Sequence, residues 1–371
     1  MRAGILEGHD FDAWRSGHAR GERPSALPYG LDHLSPAIEV SHCDATHADG
    51  PVSRLLRSRD ARLPYVLRYR GALGQVVTSL PLLARCDVCV SIFEHHADVY
   101  SRLRARAKRT LPPMVLISCY LSEWLTGNDE GLRRRAMEIA RGAAAITVFS
   151  ANQVEIVRDA AGVPVERITV IPYGIDIDFY TPADEANRPA ITHGAGSPYV
   201  AAIGKDDGRD WRTFLEAAAL TPEIPYRLAT APRMLEGLHV PDNVHFLGEV
   251  GHDAYRQLLR DSALVVVPTH DFAYPTGQSV LLETIACGRP AVVTATNAMR
   301  DYLSSATAAY ALHDPRDLAR VVSALWRDEP ALTRMTMAAR PIAEECFSTR
   351  RMWSLALPAI TASARARRRP R

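Results

Sequence analysis

Short, continuously apolar runs alternate with longer amphipathic stretches along most of this chain, and that alternation restricts the fold more than any other feature. The candidate strands are Val88–Phe93, Met114–Ser118, Ala145–Phe149, Ile168–Ile171, Tyr199–Ile203, Tyr226–Thr230, Val244–Leu247, Ala263–Val267 and Ala291–Thr294. Several are apolar at every position, as strands covered on both faces of a parallel sheet must be. Helical patterns lie between them: Gly127–Ala144, Ala151–Gly162, Trp211–Ala219, Asp253–Asp261, Gly277–Gly288 and Pro315–Asp328. Ser150 is placed to cap the second of these. Repeated strand–helix alternation predicts βαβ units and an α/β fold of doubly wound sheets.

At roughly 100–200 residues per domain, 371 residues suggest two domains. The best boundary is the stretch Tyr173–Pro198, with Pro182, Pro189 and Pro198 inside it and a polar run over Ala183–Asn187. We expect a first domain over 1–180, a second over 181–345, and a C-terminal helix with a basic tail over 346–371, the helix at Met352–Ala362. Asp10–Ala45 reads mostly as loop. No internal repeat is evident.

Composition is that of an ordinary globular protein, 47% apolar and 23% charged. A formal charge of +2 gives no global case for nucleic acid. Positive charge is local, in Arg54–Arg70, Arg102–Arg109 and Arg365–Arg371. Solvated helix faces and a frayed end account for such blocks, and so would contact with an anionic surface, including weak peripheral contact with a membrane. Cys86 and Cys89 have metal-type spacing, but no second pair completes a zinc site. They read as buried thiols beside a strand. Sparse cysteines, an N-terminus without the apolar core of a signal peptide, and no apolar run near ~20 residues point to a cytoplasmic chain without a transmembrane segment.

Four segments carry a resemblance. Ile168-Thr-Val-Ile-Pro-Tyr-Gly-Ile-Asp-Ile-Asp-Phe-Tyr-Thr-Pro182 is similar to the interdomain signature of retaining glycosyltransferases of family 4 (group 1), with Tyr173 in the usual asparagine place. Val148-Phe-Ser-Ala-Asn-Gln-Val154 resembles the strand–Ser–helix segment of that group, and Asn243-Val-His-Phe-Leu-Gly-Glu249 its Val-x-Phe-x-Gly strand. Leu281-Leu-Glu-Thr-Ile-Ala-Cys-Gly-Arg-Pro-Ala-Val-Val293 resembles its Leu-Glu-Ala-Met-Ala-x-Gly-x-Pro block. The set covers about residues 145–330 in the right order and spacing. The resemblance implies the GT-B fold, two Rossmann-like doubly wound domains facing a cleft. It also implies a nucleotide-diphosphate sugar as co-substrate, an acceptor held by a divergent N-terminal domain, and transfer of a hexose-type sugar. The Ala/Arg-rich composition and unusual N-terminal half favour a specialised small-molecule acceptor, and the basic patches leave a lipid or polysaccharide acceptor open.

Such transfer requires a pyrophosphate neutralised as it leaves, a ribose held, and a sugar positioned. The loop Gly204-Lys-Asp-Asp-Gly-Arg-Asp-Trp211 follows a candidate strand and precedes a helix, where open α/β sheets bind their ligands. The resemblance assigns Lys205 and Arg209 to the diphosphate, with the family's two basic types exchanged. Without it, the loop reads as a solvated one in which Asp206, Asp207 and Asp210 pair internally. Glu283 falls on the glutamate that accepts the ribose hydroxyls, although a carboxylate early in a helix is also stabilised by the helix dipole. Thr276, Gly277, Gln278 and Ser279 form a helix N-terminus suited to anions. Gly204 belongs to the diphosphate loop. Val244–Gly248, ending at Gly248, and Pro232–Arg233 match positions that hold the base.

Two departures stand out. Eight positions before Glu283, where the family has a first glutamate, stands Pro275; Asp271 is the nearest upstream carboxylate. After Met114–Ser118 the chain has Cys119-Tyr120 in place of a histidine, leaving His95 and His96 as candidates in that half, His95 first, with a surface histidine as the alternative. Retaining transfer in this group is thought to use the leaving phosphate as base, so no carboxylate nucleophile is required. No Asp-x-Asp metal motif stands in a suitable place, and no cofactor or essential metal is expected. The acceptor wall is expected to include Asp10–Ala45, with Trp14, His18 and Tyr29–Asp32. The rival reading is a nucleotide-sugar-binding pseudo-transferase. An epimerase or phosphorylase lacks a convincing set of facing acids and histidines, and an oxidoreductase lacks Gly-x-Gly-x-x-Gly after an early strand.

Overall fold

The apolar runs form two six-stranded parallel sheets. The computed structural model describes residues 1–34, 36, 38–42, 72–107, 110–183 and 198–368. Chain contacts divide these into two units: Met1–Ala19, Ser25–Ile171 and Met352–Arg371 in the first, Arg20–Pro24 and Pro172–Arg351 in the second. The division falls at Ile171–Pro172, ahead of the expected 180, because proline ends the strand that begins at Ile168. The C-terminal segment is no separate appendage; from Met352 it rejoins the first unit.

In the first unit the sheet order is β2(Glu39–His42), β1(Arg2–Leu6), β3(Val88–Ile92), β4(Met114–Ile117), β5(Ala145–Val148), β6(Ile168–Val170). Register is set by pairs such as Ala3 with Val88 and Cys89 with Met114. Helices α1(Phe11–Ala19), α2(Ala72–Ala84), α3(Glu94–Arg106), α4(Leu121–Thr126), α5(Glu130–Gly142) and α6(Asn152–Ala161) connect the strands. Asp10–Ala45 is therefore more structured than expected: it holds α1, a 3₁₀ segment at Pro28–Leu34 and β2, up to its last described residue, His42. Helix α1 is short and β2 has no fully buried position, which is why neither stands out as a pattern. Ser150 does not cap α6 with its own oxygen. The Gln153 side chain reaches back instead, and its Oε1 accepts from the backbone N–H of Phe149 and Ser150, both at 3.1 Å. Cys86 and Cys89 are buried free thiols, as expected.

In the second unit the order is β12(Ala308–Ala311), β11(Ala291–Thr294), β10(Leu264–Val267), β7(Val200–Ile203), β8(Tyr226–Ala229), β9(Val244–Phe246). The period-two rule divides its core cleanly. Ala201, Ile203, Val265, Val267 and Val293 meet α9(Gln278–Ala286) and α11(Glu329–Cys346) on one face. Val200, Ala202, Leu264, Val266 and Val292 meet α7(Trp211–Ala219) and α10(Pro315–Arg327) on the other. Each fully buried Leu or Phe contributes about 1.5–3 kcal/mol, so covering both faces fixes the sheet. One further helix of this unit, α8(His252–Asp261), supplies site residues.

The last helix, α12(Thr349–Arg368), runs beyond the expected Met352–Ala362. The frayed tail is corrected in part: Arg367 donates to the carbonyls of Ala84, Cys86 and Thr110. The cluster Arg54–Arg70 and the last residues of the tail, 369–371, lie outside the described residues. No described helix is long and apolar enough to cross a membrane.

Candidate functional site

The C-terminal ends of β7, β9 and β10 bring together most of the residues singled out in the second half. The loop 204–210 leaves β7 and turns back across the end of β10. Asp210 N–H donates to Pro268 O at 3.2 Å, and His270 N–H to Gly208 O at 3.0 Å. This anchorage puts the Arg209 side chain under the loop rather than in solvent. Arg209 is 4% exposed. Its Nε donates to Ile203 O at 3.4 Å, Nη1 to Thr276 Oγ1 at 3.4 Å, and Nη2 lies 3.2 Å from Asp206 Oδ2. Two glycines leave room for it. A Cβ on Gly204 would stand 2.2 Å from Arg209 Nε. Gly277 has φ +85°, and a Cβ there would meet Val267 at 2.7 Å and Arg209 Nη1 at 3.2 Å.

Lys205 is exposed, its backbone carbonyl accepting from Arg233 Nη2 at 3.3 Å. The loop is thus partly the internally paired one that composition suggested and partly a buried cation with a single, half-solvated carboxylate partner. Burying a guanidinium on such terms is costly unless an anion completes its coordination.

Glu283 lies in the second turn of α9, its side chain half-buried. Tyr255 and Tyr180 both hydrogen-bond to its carboxylate. Burial pushes its pKa up to about 7, against the opposing pull of the two phenols and of Arg209. Gln278 is buried, Ser279 half-buried, and Gly248 follows β9. Pro275 is buried and Asp271 exposed. Between them Phe272 and Tyr274 stack at 5.4 Å.

Two basic residues join this unit unannounced by any motif. Arg23 Nη1 lies 2.9 Å from His252 Nε2. Arginine can only donate, so this histidine nitrogen accepts and the ring is neutral. Burial lowers its pKa, and the nearby Arg23 and Lys205 lower it further. No local pattern marks Arg23. Tyr255 did leave a trace, since Tyr255, Leu258 and Leu259 share a face at helical spacing.

The remaining candidates lie in the first unit. His95 stands in the first turn of α3, half-buried between Tyr120 and Trp124 at centroid distances of 6.3 and 6.0 Å. Burial lowers its pKa. His96 is structural: it is buried, donates from Nε2 to Gln75 Oε1 at 2.8 Å, and burial holds its pKa down to about 3. Glu94, also buried, accepts at one oxygen from Ser118 Oγ and from the N–H groups of Cys119, Tyr120 and Leu121, at 2.7–3.1 Å. Phe93 has φ +65° at the end of β3, a strained backbone of the kind found at functional loops. Its ring meets Tyr29 at 5.4 Å and Tyr120 at 6.1 Å. Beside Tyr29, His9 packs on Trp14 at 5.0 Å and hydrogen-bonds the buried Glu7 at 2.7 Å. Trp14 and Tyr29 of the expected acceptor wall thus sit in one aromatic cluster at the C-terminal ends of β1, β3 and β4.

Residues 214–328 match the glycosyl transferases group 1 family. Sequence relatives agree. The chain is 29% identical over 187 residues to a D-inositol 3-phosphate glycosyltransferase of Mycobacterium sp. (strain JLS), 45% of this chain and 41% of that one. A second, from Geodermatophilus obscurus, is 27% identical over 200 residues, 47% and 44% of the two chains. The matches span under half the length of these relatives. Solved structures extend the likeness in fold to the whole chain. Anabaena HepE in complex with UDP and glucose has a TM-score of 0.70 at 16% identity, covering 98% of this chain and all of that one. Sucrose-phosphate synthase from Thermosynechococcus elongatus has a TM-score of 0.73 at 14% identity, covering 99% of each. The fold is GT-B, with two Rossmann-like domains. The matched stretch contains Gly277 and Glu283, while Lys205 and Arg209 lie just ahead of it.

Proposed function

We propose that this protein is a retaining glycosyltransferase that moves a hexose-type sugar from a nucleoside-diphosphate donor to a hydroxyl of a small-molecule acceptor. The observation that carries this reading is the buried Arg209, packed under Gly204 and Gly277 with Glu283 close enough to feel its charge. Arg209 and the exposed Lys205 neutralise the diphosphate as the bond from the sugar's anomeric carbon to oxygen breaks and the electron pair passes to phosphate. The helix N-terminus at Thr276–Ser279 offers further N–H groups to a phosphate or the sugar. Glu283 in its ionised form accepts the ribose hydroxyls. The acceptor oxygen attacks the anomeric carbon on the face the phosphate leaves, and its proton goes to a phosphate oxygen, so no metal ion or protein nucleophile is needed. The UDP and glucose of HepE favour a uridine donor, and the inositol phosphate relatives favour a polyhydroxylated acceptor. The aromatic cluster of the first unit suits stacking on such a ring, with His95 at its edge.

Thermal shift against a panel of nucleotide sugars tests the donor, since a ligand of the native state raises its stability. Selective stabilisation by one nucleoside-diphosphate hexose supports the reading, and no response to any contradicts it. The anomeric configuration of the product, read by NMR, tests retention.

A further inference from the structure

A second constellation stands beside the donor loops on unrelated chemistry. Asp210, His270 and His313 come from the loop after β7, the end of β10 and the end of β12. Among the described residues they form the one group of three metal-ligating side chains whose donor atoms all lie within 4.8 Å of one another. Asp210 is 4% exposed. One of its oxygens is fixed by the backbone N–H of Thr213 at 3.1 Å, where it caps α7. The other, Oδ2, is buried and has no partner in hydrogen-bonding geometry, although His313 Nε2 lies 2.7 Å away. The rings of His270 and His313 are 5.7 Å apart, and both are open to solvent.

We propose that Asp210, His270 and His313 bind a divalent transition-metal ion, zinc being the type case. A buried carboxylate oxygen without a proper donor is costly, and a cation relieves that cost. Two imidazole nitrogens and one carboxylate oxygen are borderline ligands suited to zinc, cobalt or nickel, whereas magnesium prefers an all-oxygen shell. Three protein ligands leave a coordination position for water, as in open zinc sites. The Thr213 N–H orients the carboxylate from behind, as outer-shell partners of metal ligands do. Bonds of about 2.0–2.2 Å require the donors to stand about 3.3 Å apart, so His313 would move by a fraction of an ångström from its present approach. Asp210 follows Arg209 directly, and His270 opens the segment that leads to Thr276 and Gly277. The ion would therefore tie two donor loops together. That consequence rests on the proposed function, but the binding itself does not.

The test uses tag-free full-length protein freed of metal by chelation and titrated with cobalt(II), with zinc as competitor. The expected result is one equivalent bound, with the visible absorption of low-coordinate cobalt, displaced by zinc. His270→Ala and His313→Ala should each weaken binding roughly 100-fold or more, beyond the ~10–100-fold typical of outer-shell changes. Asp210→Asn, which keeps a capping oxygen for α7, should do the same without unfolding the protein, and the exposed His239→Ala should change nothing. Absence of cobalt binding by the wild type, or binding indifferent to His313→Ala, would overturn the proposal. Because the metal alone is the probe, a negative result here leaves the glycosyltransferase reading standing, and failure of every nucleotide sugar to bind leaves the metal site standing.

Discussion

The Arg209 guanidinium lies 3.2 Å from the Asp206 carboxylate, with side-chain exposures of 2% for the arginine and 52% for the aspartate. A buried cation shares its charge with an anion that water can reach. In the proposed role, an incoming phosphate would take the place of the Asp206 oxygen nearest Arg209, while the other oxygen keeps its bonds from Gly208 N–H and Thr276 Oγ1.

That exchange gives predictions of opposite sign. Arg209→Lys loses the planar fork that reaches Ile203, Thr276 and Asp206 at once, and kcat/KM should fall roughly 10²–10³-fold. Asp206→Asn removes the competitor, and donor affinity should hold or rise. Steady-state kinetics and calorimetric titration with the donor check both. Equal losses in the two variants would mean that the pair is a structural unit.

Gly277 should tolerate no side chain. Its φ of +85° and the 2.7 Å approach of a Cβ to Val267 both oppose alanine. Gly277→Ala is expected to cost about 1–3 kcal/mol of stability and to weaken donor binding, because the loop must shift away from Arg209. Thermal denaturation and titration of the same sample read the two effects separately.

Glu283 ties function to pH. Its pKa is raised from 4.5 to about 7, so the folded state holds a proton that the unfolded chain has released between those values. Its contribution to stability is therefore greatest below about pH 4.5 and is lost as pH rises to 7. In its proposed ribose-binding role Glu283 acts in the ionised form, so donor affinity should rise as pH increases through 7. Glu283→Gln should be more stable than the wild type above pH 7, by about 1–3 kcal/mol. It should bind donor weakly at every pH. Retention of the wild-type pH profile by the glutamine variant would remove Glu283 from the account.

In the first unit, Glu94 gathers four donors on one oxygen and so fixes the start of α4 against β3. Glu94→Ala leaves Ser118 Oγ and three N–H groups without that acceptor and should cost about 2–4 kcal/mol. Chemical denaturation measures it. A loss below 0.5 kcal/mol, the size of an ordinary surface change, would mean that water replaces the carboxylate freely.

How far the sequence reached follows from what kind of signal each element leaves. Strands with every position buried, such as Val88–Ile92 and Leu264–Val267, are visible because nothing polar interrupts them. The edge strands β2 and β12, half-covered and rich in small or polar residues, carry no such mark. Lys205, Arg209 and Glu283 were singled out through the segments around them, and Gly277 through its place before a helix. Arg23 and Tyr180 were not, and the helical spacing of Tyr255 with Leu258 and Leu259 marks a buried face but not its partner. Arg23 meets His252 across 229 positions, and Tyr255 meets Glu283 across 28, contacts that only the folded chain creates. The same holds for Asp210 with His270 and His313, where an expected absence of Asp-x-Asp says nothing of ligands gathered from three strand ends.

In the proposed function, Arg209 and its loop hold a nucleoside diphosphate. Calorimetric titration of the wild type and of Arg209→Ala with UDP tests it most directly. The expected result is one site in the wild type and a loss of at least tenfold in affinity in the variant, with the fold intact by circular dichroism. Equal affinity in both proteins would contradict it.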